Sequence, residues 1–398
     1  MAEMKQIQSQ QEEMFQEVLS LIPACRYLAA KIVYDRLKDS LSVSPNQSLL
    51  EEMTDNKAIP AMLTRERDAR ALLAIGDALD SSWILGNTLF GTTTHYKLAD
   101  DGTLMLRLEG ESSDLPLFEQ LAVIREVDLF TEWLPFCSAS QTVDNLGAAE
   151  MVVFFQLFVP PISRDALIHA YGVDCLQESG RILLLGNSVD DWTPGHTAQP
   201  SSSSSSSSSA RASTTTAPSS AVPSDTSTNS RSTSAFGRFF GESGKSSDKS
   251  SATASTSSSG STTSSTAATP WRKAAGWLTD RMEVKSFWSI VQVTSPTTAK
   301  ITMVTRIDPK VALPQTLLNF VIKNVAGILL VLFQRQAASV ASNPQCKHAM
   351  KIRQDRAFYE SWLLPKIRHY CDSRGWARPD VSSLADEHTG SEALLVGV

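Results

Sequence analysis

The sequence predicts an α+β fold in which an antiparallel sheet lies against one long helix towards the C-terminus. Three observations carry this. Apolar runs of strand length, separated by turn signals, recur between Trp83 and Val189. Two more, Met282–Val293 and Ala299–Asp308, follow a low-complexity stretch and need partners among the earlier strands, because two strands and a helix do not make a stable domain. Finally, Pro314–Ala338 reads as an amphipathic helix: at 3.6 residues per turn Leu318, Val321, Ile322, Val325, Ile328, Leu329, Leu332 and Phe333 fill one broad arc, and Asn319, Lys323 and Gln334 gather opposite.

In chain order, Met4–Leu21 and Tyr27–Leu41 have helical apolar spacing and are broken at Pro23, which predicts a helical hairpin suited to packing or to protein partners. Leu49–Met53 is a short helical turn, and Arg65–Leu79 a further helix. Strands follow at Trp83–Phe90 and on both sides of Asp100-Asp101-Gly102, a hairpin signal. Leu115–Val123 reads as a short helix with Asp114 as N-cap, and Glu126–Leu134 as another ending at Pro135. Ala149–Pro160 and Gly180–Val189 read as strands, and Ser163–Val173 between them as a helix capped by Ser163. Asp308-Pro309 ends the last strand, since proline has no N–H for the ladder, and Pro314 suits the first turn of the long helix.

From Trp192 to about Thr279 the chain is low in complexity, with unbroken serine from Ser201 to Ser209. Its apolar surface is too small to offset an ordering entropy of about 1–2 kcal/mol per residue, so disorder is expected there. Phe240–Ser246 imitates the end of a phosphate-binding loop, yet Phe239 stands where the first glycine belongs and no strand precedes it. The clusters Phe236, Phe239, Phe240 and Trp271, Trp277 beside basic residues suit either a membrane interface or local packing. After Ala338, Tyr359, Trp362, Leu363 and Ile367 form an apolar helical face flanked by lysine and arginine.

Composition narrows the function. A net charge of −6 without a long basic run speaks against nucleic-acid binding. The five cysteines, Cys25, Cys137, Cys175, Cys346 and Cys371, are scattered and odd in number, so neither a disulfide framework nor a zinc site is indicated, and a cytoplasmic setting is expected. The polar N-terminus lacks the apolar core of a signal peptide. Asn319, Lys323 and Asn324 interrupt the long helix, which leaves it too short to span a bilayer. The histidines stand singly, no catalytic motif survives inspection, and no cofactor is implied. The long helix is therefore either an ordinary core helix or the cover of a hollow sheet that holds a lipid. Arg306, beside Thr302 and Val304, is either a ligand contact or a rim charge.

Three stretches, Glu126–Ser138, Val152–Ile168 and Arg306–Gln334, give the chain its family likeness. They resemble the START family, the steroidogenic-acute-regulatory-related lipid-transfer domains, from about Arg65 to Ala338 without the serine-rich stretch. The resemblance implies a helix-grip fold, a curved antiparallel β-sheet wrapped around the C-terminal helix, with a tunnel for one lipid. The division expected is 1–64, an N-terminal helical region; 65–192 with 280–340, the lipid-binding domain; 193–279, an insertion; and 341–398, a C-terminal helix and tail. Inward candidates are Phe155, Leu184, Trp288, Val304 and Arg306 on strands and Leu318, Val325 and Leu329 on the helix. The partners expected are a sterol, phospholipid or other lipid, a membrane touched transiently from its surface, and proteins at the N-terminal helices. A hydrolase or cyclase-like enzyme on the same fold, or an adaptor with an inert grip domain, are the alternatives.

Overall fold

A computed structural model of the chain describes residues 2–76, 79–99, 101–160, 162–190, 192, 280–311, 314–379 and 381. The expected disordered insertion at 193–279, with its aromatic clusters and the Phe240–Ser246 motif, lies outside the described residues. Four helices come first: α1 (Ala2–Leu21), α2 (Tyr27–Val43), α3 (Gln47–Asp55) and α4 (Ala58–Ile75). Asn46 caps α3, its side-chain oxygen accepting from Leu49 N at 3.3 Å. The start of α4 is Ala58 rather than Arg65, with Pro60 in the first turn, where a missing N–H removes no helical hydrogen bond.

The middle of the chain runs β1 (Ile84–Leu89), β2 (Thr92–Leu98), β3 (Leu104–Ser112), α5 (Leu117–Arg125), a 3₁₀ turn (Val127–Leu129), α6 (Phe130–Trp133), β4 (Cys137–Gly147), β5 (Glu150–Val159), β6 (Ile162–Cys175), α7 (Leu176–Ser179) and β7 (Arg181–Ser188). After residue 279 come β8 (Asp280–Arg281), β9 (Glu283–Ser295) and β10 (Thr298–Asp308). The chain continues as α8 (Gln315–Phe320), a π-helical turn (Val321–Val325), α9 (Ala326–Ser342), α10 (Lys347–Gln354), α11 (Arg356–Phe358), a second π turn (Tyr359–Leu363) and α12 (Leu364–Arg374).

The strands form one curved sheet in the order β1-β2-β3-β10-β9-β7-β6-β5-β4, antiparallel throughout except that β8 pairs in parallel with β6. β10 lies between β3 and β9 and thereby joins the two ends of the sheet. With α9 packed across α5 and the β1–β3 end, the architecture is the helix grip. The other face of β6, β7 and β9 is covered by α1–α4: Val173, Leu183 and Ile290 share a core with Phe15, Leu37, Met62 and Leu72.

Two local expectations fail, each for its own reason. Ser163–Val173 is not a helix but most of β6, paired with β5 on one side and β7 on the other. Both its faces are buried, Ala166 and Ile168 on one and Leu167 and Val173 on the other, so the period-2 signature of a half-exposed strand is absent. Asp114 does not cap α5. It takes left-handed backbone, φ 59°, and Pro116 holds the cap position.

The long helix exists but is broken. Its buried residues run Leu318, Ile322, Gly327, Phe333, Ala337, Val340, with steps of three and four except where the π turn widens one step to five and where Leu330, partly buried, fills the place between Gly327 and Phe333. One extra residue rotates everything beyond it by about 100° relative to an unbroken α-helix. Among the described residues no single helix is long and apolar enough to cross a membrane.

Candidate functional site

The inner face of the sheet is read directly from its register. Ile301, Met303, Thr305 and Ile307 of β10 align with Val291, Ser289, Phe287 and Val284 of β9, the last pair reached across a bulge at Lys285. Ile182 and Leu184 of β7 continue the rows, as do Ile168 and Ala170 of β6 and Val153 and Phe155 of β5. Leu329, Leu330 and Phe333 of α9 and Leu121, Ile124 and Trp133 of α5–α6 face these rows. Between them is a cavity of about 450 Å³ with an almost wholly apolar wall. That volume lies in the range of roughly 300–1,000 Å³ usual for small-molecule sites.

The sheet does not close the cavity alone. Phe358, Trp362, Leu363 and Lys366, all beyond residue 340, are part of the wall, as is Cys25 in the turn between α1 and α2. These segments are fixed by polar ties: Trp362 Nε1 donates to Pro23 O at 3.2 Å, and Lys366 Nζ to Ala24 O at 2.8 Å and to Asp174 Oδ2 at 3.1 Å. Burial raises the pKa of the Cys25 thiol and holds it protonated, despite the hydrogen bond with Tyr27 and the charge of Lys366. Beside α5, Tyr359 Oη donates to Glu126 Oε1 at 2.6 Å in the interior, and Arg125 lies 3.8 Å over the Phe358 ring. Burial, and then the charge of Glu126, raises the phenol pKa of Tyr359 far above its ordinary value.

Of the sequence candidates, the structure brings Phe155, Leu184 and Leu329 together on the cavity wall. The other five lie elsewhere. Trp288 packs against the N-terminal helices on the opposite face of β9, and Val304 aligns with it on β10. Arg306, on that same face, donates to Thr103 Oγ1 at 2.9 Å and pairs with Asp101 at 2.8 Å, so it is a rim charge. The Asp101 carboxyl is held well below the carboxylate range by the Thr103 hydroxyl and by Lys285, with Arg306 adding to this. Leu318 packs with Ile322 on Leu104, and Val325 lies in the π turn, away from the wall. On β9 both faces mix apolar and polar residues, Phe287 and Val291 on one and Trp288 and Ile290 on the other, so alternation gave no direction there. β10, by contrast, alternates, with Ile301, Met303 and Ile307 inward and Lys300, Thr302 and Arg306 outward. Among the wall residues that sequence reasoning did not place inward, Trp362 and Leu363 belong to the apolar face of the last helix and Lys366 to its basic flank, a signal that did not indicate what the helix covers, and Phe358 left no signal.

At the end of the wall formed by Leu134, Leu157 and Ile307, aromatic side chains reach solvent. The rings of Phe136 and Phe320 meet edge to face at 6.3 Å, Phe158 N donates to Phe136 O, and Phe158 and Phe320 are 46% and 41% exposed.

No family model matches the chain, and no curated protein does. Among solved structures the chain is similar to human STARD10, at 11% identity and a TM-score of 0.44 over 76% of this chain and 88% of that one. It is also similar to human StAR-related lipid transfer protein 5, at 11% identity and a TM-score of 0.42 over 71% and 98% of the two chains. A third is a STAR-related lipid transfer protein from Xanthomonas axonopodis, at 12% identity and a TM-score of 0.38 over 65% and 99%. These belong to the group that three stretches of the sequence resemble. Among the described residues no cluster of His, Cys, Asp or Glu is arranged to hold a metal ion, and the cavity wall carries no histidine.

Proposed function

We propose that the chain is a non-enzymatic lipid-binding or lipid-transfer protein that encloses one hydrophobic ligand between the sheet and α9. The observation that carries this reading is the apolar cavity of about 450 Å³, walled by Phe155, Leu184, Phe287 and Leu329. Transfer from water into such a site is favourable by about 0.8 kcal/mol per methylene, which is enough for an acyl chain or a sterol to offset leaving a bilayer. The helix α8–α9 is the gate. It rests on the sheet through Gly86, Gly110 and Gly327, where the side chains of Ile322, Leu330 and Leu89 occupy the space a Cβ would need, and the π turn is the place where it bends. The exposed Phe158 and Phe320 touch the bilayer surface during uptake, as aromatic side chains favour the interface. The five unpaired cysteines suit a reducing, cytoplasmic setting.

Native mass spectrometry of the chain after incubation with mixed-lipid vesicles tests the reading. One adduct of discrete lipid mass per chain is expected, and repeated absence of any adduct overturns it. Phe158→Glu combined with Phe320→Glu should slow uptake from vesicles while leaving the melting transition in place.

A further inference from the structure

A smaller pocket of about 240 Å³ adjoins the cavity at the Lys366–Asp174 pair. Asp174, Leu176 and Lys366 line both spaces, and Arg26, Gln177 and His369 line the smaller one alone. The change in character across the pair is abrupt: hydrocarbon from Leu184, Ile182 and Leu363 on one side, and three bases on the other. Among the described residues Asp174 is the one carboxylate in the pocket wall, and Glu178 stands by as the partner of Arg26 at 2.6 Å.

Both permanent cations have donors to spare. The Nε of Arg26 is buried and has no hydrogen-bond partner among the described residues. A buried donor left without an acceptor is costly, and the pocket lined by Arg26 is a place where an acceptor can enter. Lys366 gives two of its three N–H groups to oxygen, at Ala24 and Asp174. If Lys366 turns to a stronger acceptor, Asp174 keeps the Leu176 N–H, which it accepts at 3.1 Å.

We propose that this pocket is a head-group subsite for an amphiphile with a single anionic head, carboxylate or phosphate. The tail lies along Ile182 and Leu184, and the head sits between Arg26, Lys366 and His369. The proposal rests on the reading of the cavity as a ligand site and adds the class of ligand. Its selectivity comes from the turn after α1 and from α12, outside the strands of the grip.

The test titrates the full delipidated chain with oleate, oleoyl lysophosphatidate and oleyl alcohol, which share a tail and differ in head. The anionic ligands should bind about tenfold or more tighter than the alcohol, about 1.4 kcal/mol, the size of one charge-assisted hydrogen bond. Arg26→Gln and His369→Gln should each erode that preference and leave alcohol affinity unchanged. They are chosen over Lys366→Gln, which would strip a largely buried Asp174 of its partner, and urea midpoints confirm that both are folded. Preference for either anion supports the proposal and names the head. Equal binding of all three, or a preference untouched in both variants, overturns it and leaves the cavity as a ligand site. Failure of all three to bind, the alcohol included, overturns the reading of the cavity itself.

Discussion

Replacing Gly327 with alanine sets two effects of known size against each other. In an exposed helix interior, alanine is preferred to glycine by about 1 kcal/mol. In α9, a Cβ at this position would stand 2.8 Å from Leu89 Cβ and 3.2 Å from its Cδ2. Carbon atoms rest at about 3.5–4.0 Å, so helix and hairpin must part by roughly an ångström. Rotation cannot relieve the contact, because a Cβ moves only with its backbone. Overpacking of this kind costs about 1–3 kcal/mol, which outweighs the propensity gain and leaves a net loss near 1 kcal/mol. Gly110→Ala is the control. Its Cβ would meet Leu330 Cδ2 at 2.3 Å, but that atom is the free end of a side chain with the cavity to turn into, and the other neighbours lie at 3.3 Å or more. Urea unfolding followed by tryptophan fluorescence should therefore rank Gly327→Ala below wild type and Gly110→Ala beside it, with a melting shift of about 2–4 °C for the former. Faster ligand release from Gly327→Ala is expected as well. A gain of about 1 kcal/mol in Gly327→Ala would show that α9 does not rest on Leu89, and the gate would have no seat.

Leu329→Trp or Leu184→Trp, each filling the cavity from one wall, should reduce lipid uptake, whereas Trp288→Phe on the opposite face should leave uptake unchanged; vesicle-to-protein transfer of a fluorescent lipid distinguishes them. Tyr359→Phe removes the buried donor to Glu126 and should destabilise the fold by about 1.5–3 kcal/mol, read from the urea midpoint. Burial lowers the pKa of His348 to about 4 against the opposing charge of Glu132, and Gln336 Nε2 donates to its Nδ1 at 3.0 Å. A depressed histidine pKa means that the unfolded chain takes the proton first. This contribution to stability is thus complete above about pH 6.5 and is lost on acidification towards pH 4, by at most about 1.4 kcal/mol per pH unit. His348→Gln should flatten that part of the pH–stability curve.

The fold was largely legible because its punctuation is chemical. Pro309 ended β10, Gly102 marked the β2–β3 turn with φ 77°, and the long apolar arc announced a helix with something to cover. The failures have separate causes. β6 is apolar on both faces and so passed for a helix, and β9 mixes apolar and polar residues on both. The inward set Trp288, Val304 and Arg306 had the wrong parity although β10 itself alternates, Ile301, Met303 and Ile307 against Lys300, Thr302 and Arg306. β4 reads as polar, Ser138 to Asn145, because much of it is exposed and it lies at the sheet edge, so it left no apolar run to find. The π turn could not be read from spacing, since the wheel assumes one uninterrupted period, and this moved Leu318 and Val325 off the wall. The role of Lys366 depends on partners at Ala24 and Asp174, far away in sequence, and no local pattern encodes them.

The central place of β10 also dictates the order in which the chain is able to fold. Until β9 leaves the ribosome β7 has β6 on one side only, and until residues 298–308 follow β3 has β2 on one side only, so two strands expose open edges while more than half of the protein already exists. Open edges are templates for aggregation, and pairings between strands this far apart form slowly. The length of chain between β7 and β9 adds little to the equilibrium cost, since each doubling of a loop costs only about 0.6 kcal/mol. What the arrangement spends is time, and a nascent chain stalled before β10 is the form of this protein most exposed to chaperones and to its own copies.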